Sequence, residues 1–326
     1  MNPFILTLVV PLILIASNRN QPVWKELGEM VHPRGEHASA VVNGEIYVFG
    51  GIHDHRFGPP FIEKYNPKDD QWTSLGVWNN PKHHITAGTS VWKDEIWLCG
   101  GKWGNDEGGV RTVDIYNVKS NSWRKGPALP EIHWGGPAVI VDHYIHVFTG
   151  AVSKDVSSDH HFVLDLENEL AGWTSKAPVP EPRVHIAGAA VSGKIYLLGG
   201  EYHHIHDGDT RTIQVYDPMT DSWDLTKSEM PIPRSHHEWS TFAYGDKIIS
   251  VSGVDSANDE ERGQSEILVY DTISDEWSIW NDLPFDMSSA GAKAINNQLY
   301  VFGGGFDDWL PVHGKTFVTS INLDEQ

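Results

Sequence analysis

A unit of about fifty residues recurs along the whole chain, and no other feature restricts its fold so tightly, because such a period means one supersecondary unit built several times over. The segments Val41-Val42-Asn43-Gly44-Glu45-Ile46-Tyr47-Val48-Phe49-Gly50-Gly51, Ile96 to Gly101, Ile195 to Gly200 and Leu299 to Gly304 each read as a tight turn, then an alternating strand, then paired glycines. Turn, alternation and glycine stop together describe an arm of a β-hairpin. Thr149-Gly150 and Ser252-Gly253 stand in place of the glycine pair in two further hairpins, so the chain carries six. A Tyr and then a Trp follow at one spacing in Tyr65/Trp72, Tyr116/Trp123, Tyr216/Trp223 and Tyr270/Trp277, and Trp173 closes the third unit without a Tyr.

The 31 Gly, 19 Pro and 14 Trp among 326 residues fit many short strands separated by turns. After the sixth hairpin the chain supplies only one more strand, around Thr316 to Ile321, and no closing Trp. The missing strand is expected from the other end, because Trp24-Lys25-Glu26-Leu27 matches Trp72-Thr73-Ser74-Leu75. The fold class is therefore all-β, a six-bladed propeller whose last blade is closed by the N-terminal strand. Paired glycines, then Tyr, then Trp, at this period and over nearly all of residues 20–326, resemble the kelch repeat, whose units are four-stranded propeller blades. The resemblance implies a stand-alone exported kelch protein with a propeller like the central domain of galactose oxidase. By itself it assigns no activity, since a propeller is a platform for whatever its loops carry.

Residues Phe4 to Ala16 form a short apolar stretch ending in small residues, which suits a signal peptide over residues 1–17. The expected mature domain is 18–326, secreted or periplasmic, monomeric and without membrane insertion after cleavage. Cys99 is the only cysteine, so no internal disulfide forms, and its apolar run Ile96-Trp97-Leu98-Cys99 marks a buried thiol. A net charge of −20 argues against nucleic acid and against anionic lipid, both of which need clustered Lys and Arg, and favours a neutral or cationic ligand or a metal ion.

The chain has 18 histidines. With the strands of each blade lettered a to d from the channel outward, the start of strand a and the b–c loop lie on one face. His32, His37, His83, His84, His133, His185, His236 and His237 fall at or just before a strands, and His53, His55, His160, His161, His203, His204, His206 and His313 fall in b–c loops. Strand a lines the channel, so His37, His84, His133, His185, His236 and His237 are the candidate metal ligands, of which three or four can share one ion. Imidazoles suit Cu, Zn, Fe or Ni. Counting back from the glycine pairs puts His84, His133 and His236 in one register, His185 two residues later and His37 three. Glu36, Glu131 and Glu238 are placed to act as acid or base or to orient a ligand histidine, and Arg34 and Arg183 to clamp an anionic substrate. Trp103, Trp134, Trp239 and Trp309 share the face and offer stacking surfaces to a sugar or other flat ligand.

Two function classes follow. One is a metal-dependent enzyme acting on a small or sugar-like substrate at the channel mouth, with the ion as Lewis acid or as activator of water. Galactose-oxidase-like copper chemistry needs a Tyr crosslinked to a Cys, and only Cys99 is offered. The other is a non-catalytic module that presents its b–c loops to a protein partner.

Overall fold

The computed structural model describes residues 23–53, 59–78, 88–102, 108–153, 156–202, 208–256, 262–306 and 311–323. The candidates His55, His83, His84, His203, His204 and His206, with Trp103 and Trp309, lie outside them, as does the apolar stretch 4–16.

Six antiparallel sheets follow one another as blades. In blade 1 strands a to d are Ala38–Val42, Glu45–Phe49, Phe61–Asn66 and Gln71–Val77. The a strands of blades 2 to 6 are Thr89–Trp92, Ala138–Val141, Ala187–Val191, Thr241–Tyr244 and Gly291–Ile295. These short, small-residue strands surround a central channel of about 510 Å³. Blade 6 is completed as the sequence predicts: Lys25–Leu27 pairs antiparallel with Thr316–Ser320, Glu26 opposite Phe317, so the first described strand is the outermost strand of the last blade.

The repeated residues have structural work. Each Tyr faces its Trp across strands c and d, as Tyr65 does Trp72. Its hydroxyl donates to the side chain five residues on, in the c–d turn: Tyr65 to Asp70, Tyr116 to Asn121, Tyr216 to Asp221 and Tyr270 to Asp275, at 2.6–2.9 Å. Those Asp and Asn residues hold left-handed backbone, φ 49 to 60°, which short polar side chains tolerate best. The turn carboxylates then accept amides of the neighbouring unit, Gly28 N to Asp70, Ala177 N to Asp221 and Ser228 N to Asp275. The apolar core lies in the seams: Ala40, Phe49 and Ile62 of blade 1 pack with Ile96, Leu98 and Tyr116 of blade 2. Cys99 is buried in the seam of blades 2 and 3, as its apolar run implies.

The paired glycines sit where the next blade's chain crosses. Gly100 and Gly101 have φ of 73° and 112°, and a Cβ on Gly100 would collide with the His133 carbonyl oxygen, to which Gly101 donates its amide. Only glycine meets both demands without strain. Thr149 and Ser252 accept the same left-handed backbone, φ 42° and 38°.

Candidate functional site at the channel mouth

One register fixes the mouth. At each described blade start, one residue bridges the residue that follows the glycine pair of its own blade: Gly35 with Ile52, Trp134 with Ala151, Val184 with Glu201, Ser235 with Val254 and Ser288 with Gly305. The next residue is always left-handed: Glu36, Gly135, His185, His236 and Ser289, φ 51 to 69°. Glu36, His185, His236 and Ser289 thus hold equivalent places around the ring. Positive φ on four non-glycine residues is costly backbone, and such cost collects where side chains must be aimed at a site.

His185 and His236 meet face to face, ring centroids 3.7 Å apart and planes 21° from parallel. Glu201 joins them, and ligand atoms of the three lie within 4.8 Å of one another, all buried. His185 Nδ1 and Glu238 Oε1 share a 2.8 Å hydrogen bond, and Ser235 Oγ and His236 Nδ1 another of 2.8 Å. Trp134 and Trp239, both buried, wall the pair at 5.9–6.3 Å between ring centres. The two indoles expected as ligand platforms therefore face imidazoles.

Negative charge is concentrated here. Burial pushes the Glu238 carboxyl well above the ordinary range, and Glu36 and Glu201 push it further. The His185–Glu238 contact has ion-pair geometry, and burial with two neighbouring carboxylates raises the Glu238 carboxyl against it. Asp209, bridged to Glu201, is raised to about 7 chiefly by burial. Lys293, on the channel wall with Glu238, is lowered by burial to about 8 and donates to the Trp239 carbonyl.

Of the six candidate ligands, the structure brings together His185 and His236. His84 lies outside the described residues. His37, His133 and His237 are held apart in three seams, which corrects the expectation of one shared centre. His37 stacks on Phe302 and would be struck by a Cβ at Gly291 or Gly303 of blade 6. His237 bonds Ser250 Oγ and the Leu198 carbonyl. His133 is fixed by the carbonyls of Thr149 and Gly136 and by His160. Burial lowers all three, to about 3, 3 and 4, so they are neutral packing groups.

The acid, base and clamp candidates divide likewise. Glu36 and Glu238 are at the mouth, whereas Glu131 is exposed beside His160, 3.8 Å away. Arg34 pairs with Glu63 at 2.7 Å, both fully buried. Arg183 donates to the Gly199 carbonyl, to Thr212 and to Glu181. Arg234 bonds the carbonyls of Ser250 and Glu266 and the Gln264 amide. Each guanidinium is buried and directs its hydrogen bonds to partners within its own blade. Among the b–c loop histidines, His161 proves to begin strand c of blade 3, bonded to His146.

Glu201 is the residue that sequence reading missed. Its signal was positional: directly after Gly199-Gly200, it stands where the other blades carry Ile52, Lys102, Ala151, Val254 and Gly305. The counted register also misassigned His236. The path from His236 to Ser240, which accepts the Val251 amide, is two residues longer than that from His185 to Ala187, owing to a turn at 238–240. That turn carries Glu238 and Trp239 to the channel end.

Comparison with known proteins fits this architecture. A family profile described as the KLHDC2/KLHL20/DRC7 Kelch-repeats domain matches residues 83–304, and the Kelch motif matches residues 33–76. The chain is 28% identical to Kelch-like protein 26 of Danio rerio, over 82% of this chain and 43% of the relative. It is 25% identical to Kelch-like protein terF of Aspergillus terreus, over 86% and 62%, and 27% identical to Kelch repeat and BTB domain-containing protein 1 of camelpox virus, over 76% and 42%. The chain thus spans less than two thirds of the length of these relatives. With the profile covering residues 83–304 and the blade markers placed as described, the chain belongs to the kelch-repeat family.

Proposed function

We propose that this chain is a non-catalytic binding propeller that receives a protein partner on the face formed by its b–c loops. The observation that carries this reading is a division of labour. The recurring Arg, Tyr, Trp and Gly are consumed in building and joining blades, while the b–c connections differ in sequence and leave apolar side chains exposed at Val156, Tyr202 and Phe306. Apolar groups open to solvent on that face offer contact to a protein, while the more exposed Met219 and Ile273 lie singly in c–d turns of the opposite face. The net charge of −20 favours a partner with a basic or neutral surface. Among the relatives, a poxvirus protein is named for kelch repeats together with a BTB domain, an architecture in which the propeller is one part of a larger chain.

The test is affinity capture with chemical crosslinking from the native source. The intact protein is compared with Tyr202→Asp/Phe306→Asp on the b–c face and with Met219→Asp/Ile273→Asp, two exposed residues in c–d turns on the opposite face. Loss of one specific partner in the first variant and its retention in the second is the expected result. Equal capture by all three proteins, or no specific partner, refutes the reading.

A second reading, metal-dependent chemistry on a small or sugar-like substrate, is favoured by one observation, the meeting of His185, Glu201 and His236 beside the channel. Export belongs to the same proposal: the released protein is expected to begin near Asn18, and an intact mass that retains Met1 overturns it.

A further inference from the structure

We infer that His185, Glu201 and His236 form a binding site for one divalent transition-metal ion of the zinc or iron(II) class. The inference goes beyond the protein-binding reading and stands or falls separately from it.

Three observations carry it. The first is the donor set. Two imidazoles and one carboxylate are the ligands that zinc and iron(II) take in three-ligand sites with open positions. They form the one grouping of three such side chains within 4.8 Å among the described residues. Donors about 2.1 Å from an ion stand about 3.4 Å apart in a tetrahedral shell, so binding requires the three donors to draw together and the stacked rings of His185 and His236 to splay until their in-plane nitrogens converge.

The second is how the donors are supported. His185 and His236 come from blades 4 and 5 at the same left-handed ring position, and Glu201 is fixed by its bridges to Val184 and Asp209. Glu238 shares a hydrogen bond with His185 Nδ1, and once a nearby cation favours its ionised form this contact is the carboxylate–imidazole support that orients a ligand ring. Its other oxygen, Oε2, is buried without a hydrogen-bond partner. The third is charge. Glu36, Glu201 and Glu238 are all buried at one mouth. A divalent ion between Glu201 and the two imidazoles offsets the negative charge gathered there.

The chemistry does not extend to the other close imidazoles. His133 with His160, and His146 with His161, contact each other at 3.0 Å, and the carbonyls of Gly136 and Ala177 occupy the second nitrogens of His133 and His161, but neither pair has a third donor within 4.8 Å of both its members among the described residues. Those pairs are the natural rivals in a test.

The untagged full chain, stripped with chelator, is titrated with ZnCl₂ by calorimetry and with CoCl₂ by visible absorption, alongside Glu201→Gln, His236→Gln, Glu238→Gln and His160→Gln. One equivalent is expected. Affinity should be abolished or reduced more than about 100-fold in the first two variants, weakened about 10–100-fold in Glu238→Gln through the supporting contact, and unchanged in His160→Gln. If a variant fails to fold by circular dichroism, X-ray absorption of the zinc-loaded wild type decides: two imidazoles and one carboxylate are expected, and a shell with fewer than two imidazoles overturns the site. No binding of either ion at about 100 μM by the wild type, or binding lost in His160→Gln and kept in Glu201→Gln, likewise overturns it.

Discussion

At the scale of the residue, the chain separates groups that look alike in sequence into structural and site-forming ones. Arg34 resembled a clamp and is half of a buried ion pair with Glu63. Removing one member leaves the other charge buried, so Arg34→Ala should cost about 3–5 kcal/mol in urea unfolding, whatever the state of the mouth. Gly100→Ala should cost about 3 kcal/mol or more by the same measurement, because it combines a left-handed backbone with a collision at the His133 carbonyl. The buried histidines predict acid sensitivity. Desolvation lowers His133 and His146 to about 4 and His161 and His237 to about 3, against 6.5 for an unhindered imidazole. Between those values the unfolded chain binds protons that the folded chain refuses, so the histidine contribution is full above about pH 6.5 and falls as pH drops toward 4, and these histidines outnumber Asp209, whose carboxyl, raised to about 7, contributes in the opposite direction. One histidine displaced from 6.5 to about 4 removes about 3 kcal/mol at the acid end, at about 1.4 kcal/mol per unit. Urea midpoints should hold from pH 8 to 7 and decline steadily from pH 6 to 4.5.

At the scale of the element, the closing strand was legible because Trp24-Lys25-Glu26-Leu27 repeats a local pattern, and local patterns survive without tertiary knowledge. Lys25–Leu27 pairs three residues with Thr316–Ser320, and Trp24 Nε1 donates to the Asp282 carbonyl of blade 5. A chain beginning at Gly28 should therefore melt lower than one beginning at Asn18. Amides of Thr316–Ser320 should exchange roughly tenfold faster or more, while those of blade 3 change little. The ring register was less legible. Counting from the glycines placed His236 with His133, but the turn at 238–240 adds two residues to blade 5 alone among the described blade starts, and a strand-start count cannot see an insertion that leaves the flanking pattern intact.

At the scale of the whole molecule, blades 4 and 5 are joined at the mouth by the His185–His236 stack and the Glu238 contact that crosses the same seam. An ion there would bind only the assembled ring. At a Zn(II) concentration about 100 times Kd, linkage adds about 2.7 kcal/mol, so the melting temperature should rise in the wild type and stay constant in Glu201→Gln. The sequence by itself determined the six hairpins, their Tyr–Trp ties and the N-terminal closure, because each is a short-range pattern repeated at a fixed period. Only the tertiary structure decided which histidines meet. His37, His133 and His237 turn into seams, where carbonyls, a hydroxyl, an imidazole and an aromatic ring receive them, while His185 and His236 turn to the mouth. Glu201 shares its type of backbone bridge with Ile52, Ala151, Val254 and Gly305, and only the blade starts that bring His185 and His236 to it make its carboxylate a donor. The physical reason is that convergence around a closed ring depends on the turn of the backbone at each blade start, and a single left-handed residue or a two-residue insertion redirects a side chain without altering the composition or spacing that a sequence displays.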